Sequence, residues 1–592
     1  MDHTRADFVD DDVRELILLG CSYLDRGQYA RARDALEKAL AQDPHAIDAQ
    51  LNLALLAQRS DDLESAWTLV HEGLKLHGDD ADLINLRGVL HAKEGARRRE
   101  LEDFSKALEL CSAHREARFN VAAAHLERGH PDTALEHVER LKTLCPGEGL
   151  VHYLDGLIKA SQGRQEAEEA AYRRALEMGE ETADVYHNLG LVLFERGRFD
   201  EAESCLKKAL DLDPTALDIH LNLASALHER GDDHGARKVL ERATRFHEDC
   251  ADVWYNLGYV SALLGLDQEA IEAYSRAIRN DGSFADAHYN LAFIHFRRKD
   301  YERSIAAYRR VLELAPDRYR ALYNLAFALD TCGRHEEALE VWKKTLSHRP
   351  DDHKTYSKMA LAYLALGEAE KARVACERSL ELEPHGNVEA AYCRAVIAET
   401  SGDDGAARDG FETVLQYDTG FRDALVRLSN LLRKSGRAAE ALERAREALA
   451  VRKSSAGFLA LGLACEDLGQ DSKALAILEK GLRRRPGNLR LLRAVTRVAF
   501  RVGVPAKAIA AHRSAVEAEP SSSSCRLRCA RVLERAKQYE AAVAEAKEAI
   551  RHDSACLAAY MIIARSYLAL GKAQKAMKYR TRFKNLKKDA AS

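Results

Sequence analysis

The sequence predicts an all-α protein, a solenoid of about 17 tandem 34-residue helix-turn-helix repeats, and three observations predict it. The pentapeptide YNLGY at Tyr255–Tyr259 returns as YNLAF at Tyr289–Phe293 and again at Tyr323–Phe327, 34 residues apart each time. Glycine keeps the same interval at Gly27, Gly129, Gly163, Gly197, Gly231, Gly265, Gly333, Gly367 and Gly571. Alanine does so at Ala32, Ala66, Ala134, Ala202, Ala236, Ala270, Ala338 and Ala372, and proline at Pro44, Pro146, Pro214, Pro316, Pro350 and Pro384. A chain of 592 residues exceeds the ~250–300 that one core supports. Self-similarity at a fixed period is the mark of a repeat array instead.

Each element of the repeat has a physical reason. With a frame of 34 opened at Val13, Leu-Gly pairs fill the seventh and eighth places at Leu19-Gly20, Leu189-Gly190, Leu257-Gly258 and Leu461-Gly462. A first helix of about 14 residues stops at the fifteenth-place glycine, because a helix end favours a left-handed residue. A second helix carries the twentieth-place alanine, whose small side chain lets neighbouring helices approach. Proline near the thirty-second place ends it, since proline cannot continue a helix. One helix pair is too short to bury its own apolar face, so stacking on the next pair completes the core.

Seventeen frames account for 13–590, with one residue gained near Gly386-Asn387 and one lost near Ser454-Ser455. The expected organisation is an acidic leader (1–12), repeats 1–11 (13–386), repeats 12–13 between the phase slips (387–454), and repeats 14–17 with a basic cap (455–592). Frames 81–114, 149–182, 388–421 and 523–556 match the pattern poorly.

Composition narrows the function. No apolar run approaches the ~18–20 residues that cross a bilayer. The start, MDHTRADFVDDDVREL, lacks the basic-then-apolar layout of a secretory signal, so a cytoplasmic protein is expected. The 12 cysteines form no CxxC, which points to small interface hydrophobes in a reducing compartment and to no metal site. Phosphate-binding, zinc-protease and nucleophile-elbow motifs are absent from the sequence. No catalytic residue and no cofactor is expected, and the chain is read as not an enzyme.

The repeat resembles the tetratricopeptide family, on Trp254, Leu257, Gly258, Gly265, Ala270, Tyr274 and Ala277 in one unit and Tyr186, Leu189, Gly190, Ala202, Ala209 and Pro214 in another. The resemblance implies a right-handed α-superhelix with a concave channel lined by the first helices. At 100° per residue the fourth, seventh, eighth and eleventh places share the packing face. The second, fifth, sixth, ninth, twelfth and thirteenth face the channel. That reading places Tyr255, Tyr259, Tyr289, Phe293, Phe296, Tyr323 and Phe327 on the open side. Asparagine holds the sixth place at Asn52, Asn120, Asn188, Asn222, Asn256, Asn290 and Asn324. The ladder resembles that of the repeat domain of O-linked N-acetylglucosamine transferases, without a catalytic domain. It implies amides that grip the backbone of an extended peptide. Asn324, Lys354 and Lys358 also match three of the five positions of the carboxylate clamp in chaperone-binding tetratricopeptide domains, and with Arg320 they suit an acidic end.

A net charge of −5 hides an asymmetry. Residues 1–300 carry 37 Lys+Arg against 57 Asp+Glu, whereas residues 451–592 carry 29 against 12. Arg493, Arg497 and Arg501 form one stripe at i, i+4 and i+8, followed by Arg528 and Arg531, which are expected to meet an acidic partner. Only Phe500 lies near them, so nucleic acid is disfavoured.

The function expected is a non-enzymatic scaffold or adaptor that binds extended peptide segments of partner proteins in its channel. The peptide site runs over Tyr255–Lys358, with Asn188 and Asn222 extending the ladder. The alternatives are an accessory subunit docking on a separate transferase or secretion machine, a co-chaperone-like adaptor, or a nucleic-acid-associated protein acting through its arginine-rich end. Salt-sensitive self-association is a further expectation from the acidic-to-basic polarity.

Overall fold

A computed structural model describes residues 11–589. Among them lie 34 α-helices and no strand, paired into 17 helix-turn-helix repeats. The chain divides into two compact units, one ending at Ile294 and one beginning at His295. Within each unit every helix pair packs on the pair that follows it, so each unit is a solenoid of repeats. The expected leader falls outside the described residues apart from Asp11 and Asp12, which already belong to the first helix, Asp11–Asp25. No helix among the described residues is long and apolar enough to cross a membrane.

The period is kept helix by helix. First helices begin at Ile47, Ala81, Arg115, Gly149, Ala183, Leu217, Ala251, Ala285, Tyr319 and His353, 34 residues apart. The next begins at Val388, one residue late, and the phase returns at Ser455. The four frames that match the pattern poorly are also helix pairs, for example Gly149–Ser161 with Gln165–Glu177 and Val388–Ser401 with Asp404–Tyr417. All four keep the left-handed turn described next, although other signature residues are missing.

The turn after the first helix is left-handed in all 17 repeats, and glycine supplies it in all but three. Asp61, Lys299 and Lys537 hold the fifteenth place at φ of 59°, 65° and 62°. A side chain there costs roughly 1–2 kcal/mol against the preceding turn. Part of that is offset by the greater freedom glycine loses on folding. Lys299→Gly is therefore expected to stabilise the protein by about 0.5–1 kcal/mol, measured as a higher midpoint in urea. A lower midpoint would refute the strain.

Inside each pair the eighth place of the first helix faces the twenty-fourth place on the second. A Cβ at Gly88 would stand 2.6 Å from the Phe104 ring, and one at Gly258 would stand 2.8 Å from the Tyr274 ring. Ala326 holds the eighth place of its repeat, and the opposite residue is large as well: Trp342 is fully buried. A small residue opposite a large one fills the interhelix space at close-packed density. Six of the cysteines, Cys145, Cys376, Cys393, Cys465, Cys525 and Cys529, are buried in these interfaces as free thiols.

Candidate functional site

The asparagine ladder first has to be accounted for as structure. The Asn120 amide nitrogen donates to Asn85 Oδ1 (2.9 Å), Asn188 to the Tyr153 hydroxyl (3.1 Å), and Asn290 to the Tyr255 hydroxyl (3.3 Å). Asn222 Nδ2 lies 2.8 Å from His187 Nε2. In each case the sixth-place amide reaches back 35 residues to the fifth place of the preceding repeat. Arg427 does the same to the Tyr392 hydroxyl at 3.1 Å. Where the preceding fifth place is apolar, at Ile17 and Leu221, the amide turns home. Asn52 then donates to the Asp48 carbonyl (2.7 Å) and Asn256 to the Asp252 carbonyl (2.9 Å). The ladder thus stitches repeat to repeat through its nitrogens. Asn256 Oδ1 meets no donor among the described residues and remains an acceptor on the first-helix face.

The expectation that all the aromatics lie open is corrected for the fifth and twelfth places. Tyr255 is half-buried, its ring 4.8 Å from Phe284 and 5.8 Å from Tyr274. Tyr323 is half-buried with its ring 4.9 Å from Trp342, and burial, then the charges of Glu389 and Asp352, push its phenol up to about 12. Tyr153 against Tyr172 and Tyr392 against Phe411 repeat this pairing of fifth and twenty-fourth places at 5.9 Å. The reason is angular: at 100° per residue the fifth place stands only about 60° from the eighth, at the edge of the packing face. Tyr289 is half-buried and engaged as well, and so is Asn324. Phe296, at the twelfth place, packs on Tyr301 (5.5 Å) and Phe327 (5.4 Å).

The ninth place is the open one. In the first unit Tyr259 is 39% exposed and Phe293 51%, and Leu263, one turn after Tyr259, is 49% exposed. Leu263 was not singled out from sequence, although its thirteenth place belongs to the expected channel face. The edge of the Tyr259 ring meets His228 at 5.7 Å. In the second unit Phe327 is half-buried, with Lys358 Nζ 5.1 Å from its ring centre. Lys358 is also committed to Glu389 at 2.5 Å, whereas Lys354 and Arg320 are exposed and have no ion-pair partner among the described residues.

The arginines divide in the same way. Arg497 forks onto Glu466 with two bonds of 2.6 Å, and Arg501 shares that carboxylate at 2.5 Å while holding Asp471 at 2.9 Å. Burial opposes charge on Glu466, yet the two arginines hold its carboxyl below the usual value. Arg493 and Arg531 are exposed and without any such partner among the described residues. Arg528 donates to Ser524 Oγ at 2.7 Å.

Models of the tetratricopeptide repeat match residues 23–90, 193–257 and 295–361, others 234–283, 268–319, 426–488 and 527–580, and further ones 353–385 and 116–140. No curated protein is significantly similar to the chain. Among solved structures, the MamA protein is 27% identical over 30% of this chain and 96% of its own, with a TM-score of 0.28. The C-terminal part of a TPR repeat-containing protein from Cytophaga hutchinsonii is 18% identical over 40% of this chain and 96% of its own (TM-score 0.35). YrrB, described as a TPR protein with an unusual peptide-binding site, is 21% identical over 32% of this chain and 96% of its own (TM-score 0.30).

Proposed function

Because the chain belongs to the tetratricopeptide repeat family, whose repeats are typically non-catalytic protein-interaction scaffolds, we propose that it binds extended segments of partner proteins on the face of its first helices. One observation carries the proposal: Tyr259, Leu263 and Phe293 are large, apolar and exposed on that face of the first unit. Side chains of this kind sit in water at a cost, and clustered exposed apolar surface marks interaction sites. Around them Tyr255, Tyr289 and Asn290 form the floor. Asn256 Oδ1 accepts from the backbone of a segment laid along the helices, and the carbonyl of Asn290 extends the row. Asn188 and Asn222 continue the same register.

In the second unit Tyr323, Asn324 and Phe327 hold the corresponding places, and Phe296 packs on Phe327. There Lys354 and Arg320 add positive charge that favours acidic residues, and Lys358 adds more once it leaves Glu389.

The test is recovery of partners from cell extract by the full chain and by Tyr259→Ser/Phe293→Ser. These rings are exposed, so the variant is expected to keep its helicity and melting temperature while losing a defined set of partners. An unchanged set would overturn the proposal. A single enzyme recovered in fixed ratio would make the chain an accessory subunit of that enzyme.

A further inference from the structure

The first helices of repeats 15 and 16, Leu489–Arg501 and Ser523–Arg535, border a cavity of about 420 Å³ lined by Arg493, Arg497, Arg528, Arg531 and Arg535. No carboxylate is among its described lining residues. On other first helices of this unit arginines do meet a carboxylate: Arg433 with Asp467 at 2.6 Å and Arg565 with Glu534 at 2.8 Å. Here only Arg497 is matched, by Glu466. Arg493 and Arg531 have no partner among the described residues. Arg535 lies over the Phe500 ring at 4.2 Å, and the Arg528 Nε is buried without a hydrogen-bond partner.

A second, independent observation stands on the cavity wall. His512 is 5% exposed and lies among the lining residues. Thr496 Oγ1 gives its proton to the Leu492 carbonyl (2.7 Å), so it accepts from His512 Nε2 (3.0 Å). The other ring nitrogen, Nδ1, is buried with no partner. Burial, then the nearby charge of Arg528, hold this imidazole neutral, down to about 4. An anion in the cavity would reverse that field and turn Nδ1 into a donor. A buried polar atom left unpaired is costly, and two of them sit beside unneutralised guanidinium groups.

The ligand class follows from counting. A carboxylate satisfies one fork, or two as Glu466 does, whereas four guanidinium groups here lack a carboxylate. An anion carrying close to two charges and three acceptor oxygens suits them, which is the chemistry of a phosphate monoester. A nucleic acid would need an exposed aromatic platform for its bases. None is on the described lining, and Phe500 nearby is covered by Arg535.

We propose that this cavity receives a phosphorylated side chain of a partner protein, its phosphate held by Arg493, Arg528 and Arg531. The proposal rests on reading the chain as a protein-binding scaffold, but it uses none of the aromatic residues assigned above. Leu489 and Leu527 supply an apolar wall for the peptide that carries the phosphate.

The experiment uses the full chain and degenerate nonapeptide libraries with a fixed central phosphoserine, glutamate or serine, read by fluorescence anisotropy at about 0.15 M salt. Expected is binding of the phosphoserine library about 30-fold tighter than of the other two. Arg493→Gln/Arg531→Gln should lose that preference with an unchanged melting temperature, since neither side chain has an internal partner. Arg483→Gln/Arg484→Gln removes the same charge at exposed positions off the cavity and should retain it.

Equal binding of the glutamate library, or equal loss in both arginine variants, would overturn the proposal. So would inorganic phosphate competing at the concentration of the phosphopeptide, which would assign the cavity to a free anion. An RNA oligomer bound more tightly and lost in the same variant would overturn it as well. Tyr259→Ser/Phe293→Ser should leave phosphopeptide binding intact, so failure of the aromatic face and failure of the cavity read separately.

Discussion

Trp342→Ala is expected to destabilise the second unit by about 3–5 kcal/mol, the range for emptying a fully buried indole site. Trp342 is wholly buried on the second helix of its repeat, His335–His348. It fills the space that the small side chain of Ala326 leaves on the first helix, and the Tyr323 ring stands edge-on to it at 4.9 Å. Truncation leaves a cavity that Tyr323 and Ala326 cannot close, because both are held by the helices that carry them. Trp342→Phe should cost much less, below about 1.5 kcal/mol. Its indole Nε1 makes no hydrogen bond, so none is lost. Stability in a solenoid is passed between nearest neighbours. Hydrogen exchange should therefore rise first in Tyr319–Thr331 and His335–His348. Uniform loss of protection, or a cost under about 1 kcal/mol, would refute this account.

The second large effect lies at the phase slip. Asn387 caps Val388–Ser401, accepting from the Ala390 backbone N–H at 3.2 Å. The same oxygen takes the Ser357 hydroxyl at 3.1 Å, and the amide nitrogen donates to Ser379 Oγ at 2.8 Å. Ser379 in turn donates to the His353 carbonyl at 2.7 Å. All three side chains are buried, so the residue gained before Val388 is tied into the core by a polar network. Asn387→Ala removes a cap worth about 1 kcal/mol and strips buried hydroxyls of a partner at about 1–3 kcal/mol. The sum expected is about 2–4 kcal/mol in a guanidinium melt. Asn387→Ser keeps the cap but cannot reach Ser379, and should recover about 1 kcal/mol of it. An Asn387→Ala midpoint equal to wild type would mean that this network contributes nothing.

The repeat was legible from the chain alone, down to the residue at which nearly every first helix starts. That is because its signals are local. A left-handed turn needs glycine at one place, and a tight helix contact needs a small residue at another. Stacking then imposes the same spacing each time. Three of the four poorly matching frames obey both requirements, as Gly88 against Phe104 illustrates, and the fourth keeps the small residue at Ala530 but turns at Lys537. The YN pair was legible as a pattern but not as a role. Period and helical angle put Tyr255 and Asn290 on the side away from the core. Only the approach of the next repeat shows that the asparagine reaches back to the tyrosine.

Tertiary structure also decided which charges are already spent. In the sequence Arg493 and Arg497 are equivalent members of one stripe. In the fold Glu466, 31 residues before Arg497, neutralises that side chain and leaves Arg493 open. Lys354 and Lys358 part in the same way, through Glu389. The sequence by itself determined the helices, their pairing and their period, because those depend on backbone geometry and side-chain size within one repeat. Which polar and aromatic groups remain available to a partner depends on contacts between repeats, and those are set only when one helix pair lies against the next.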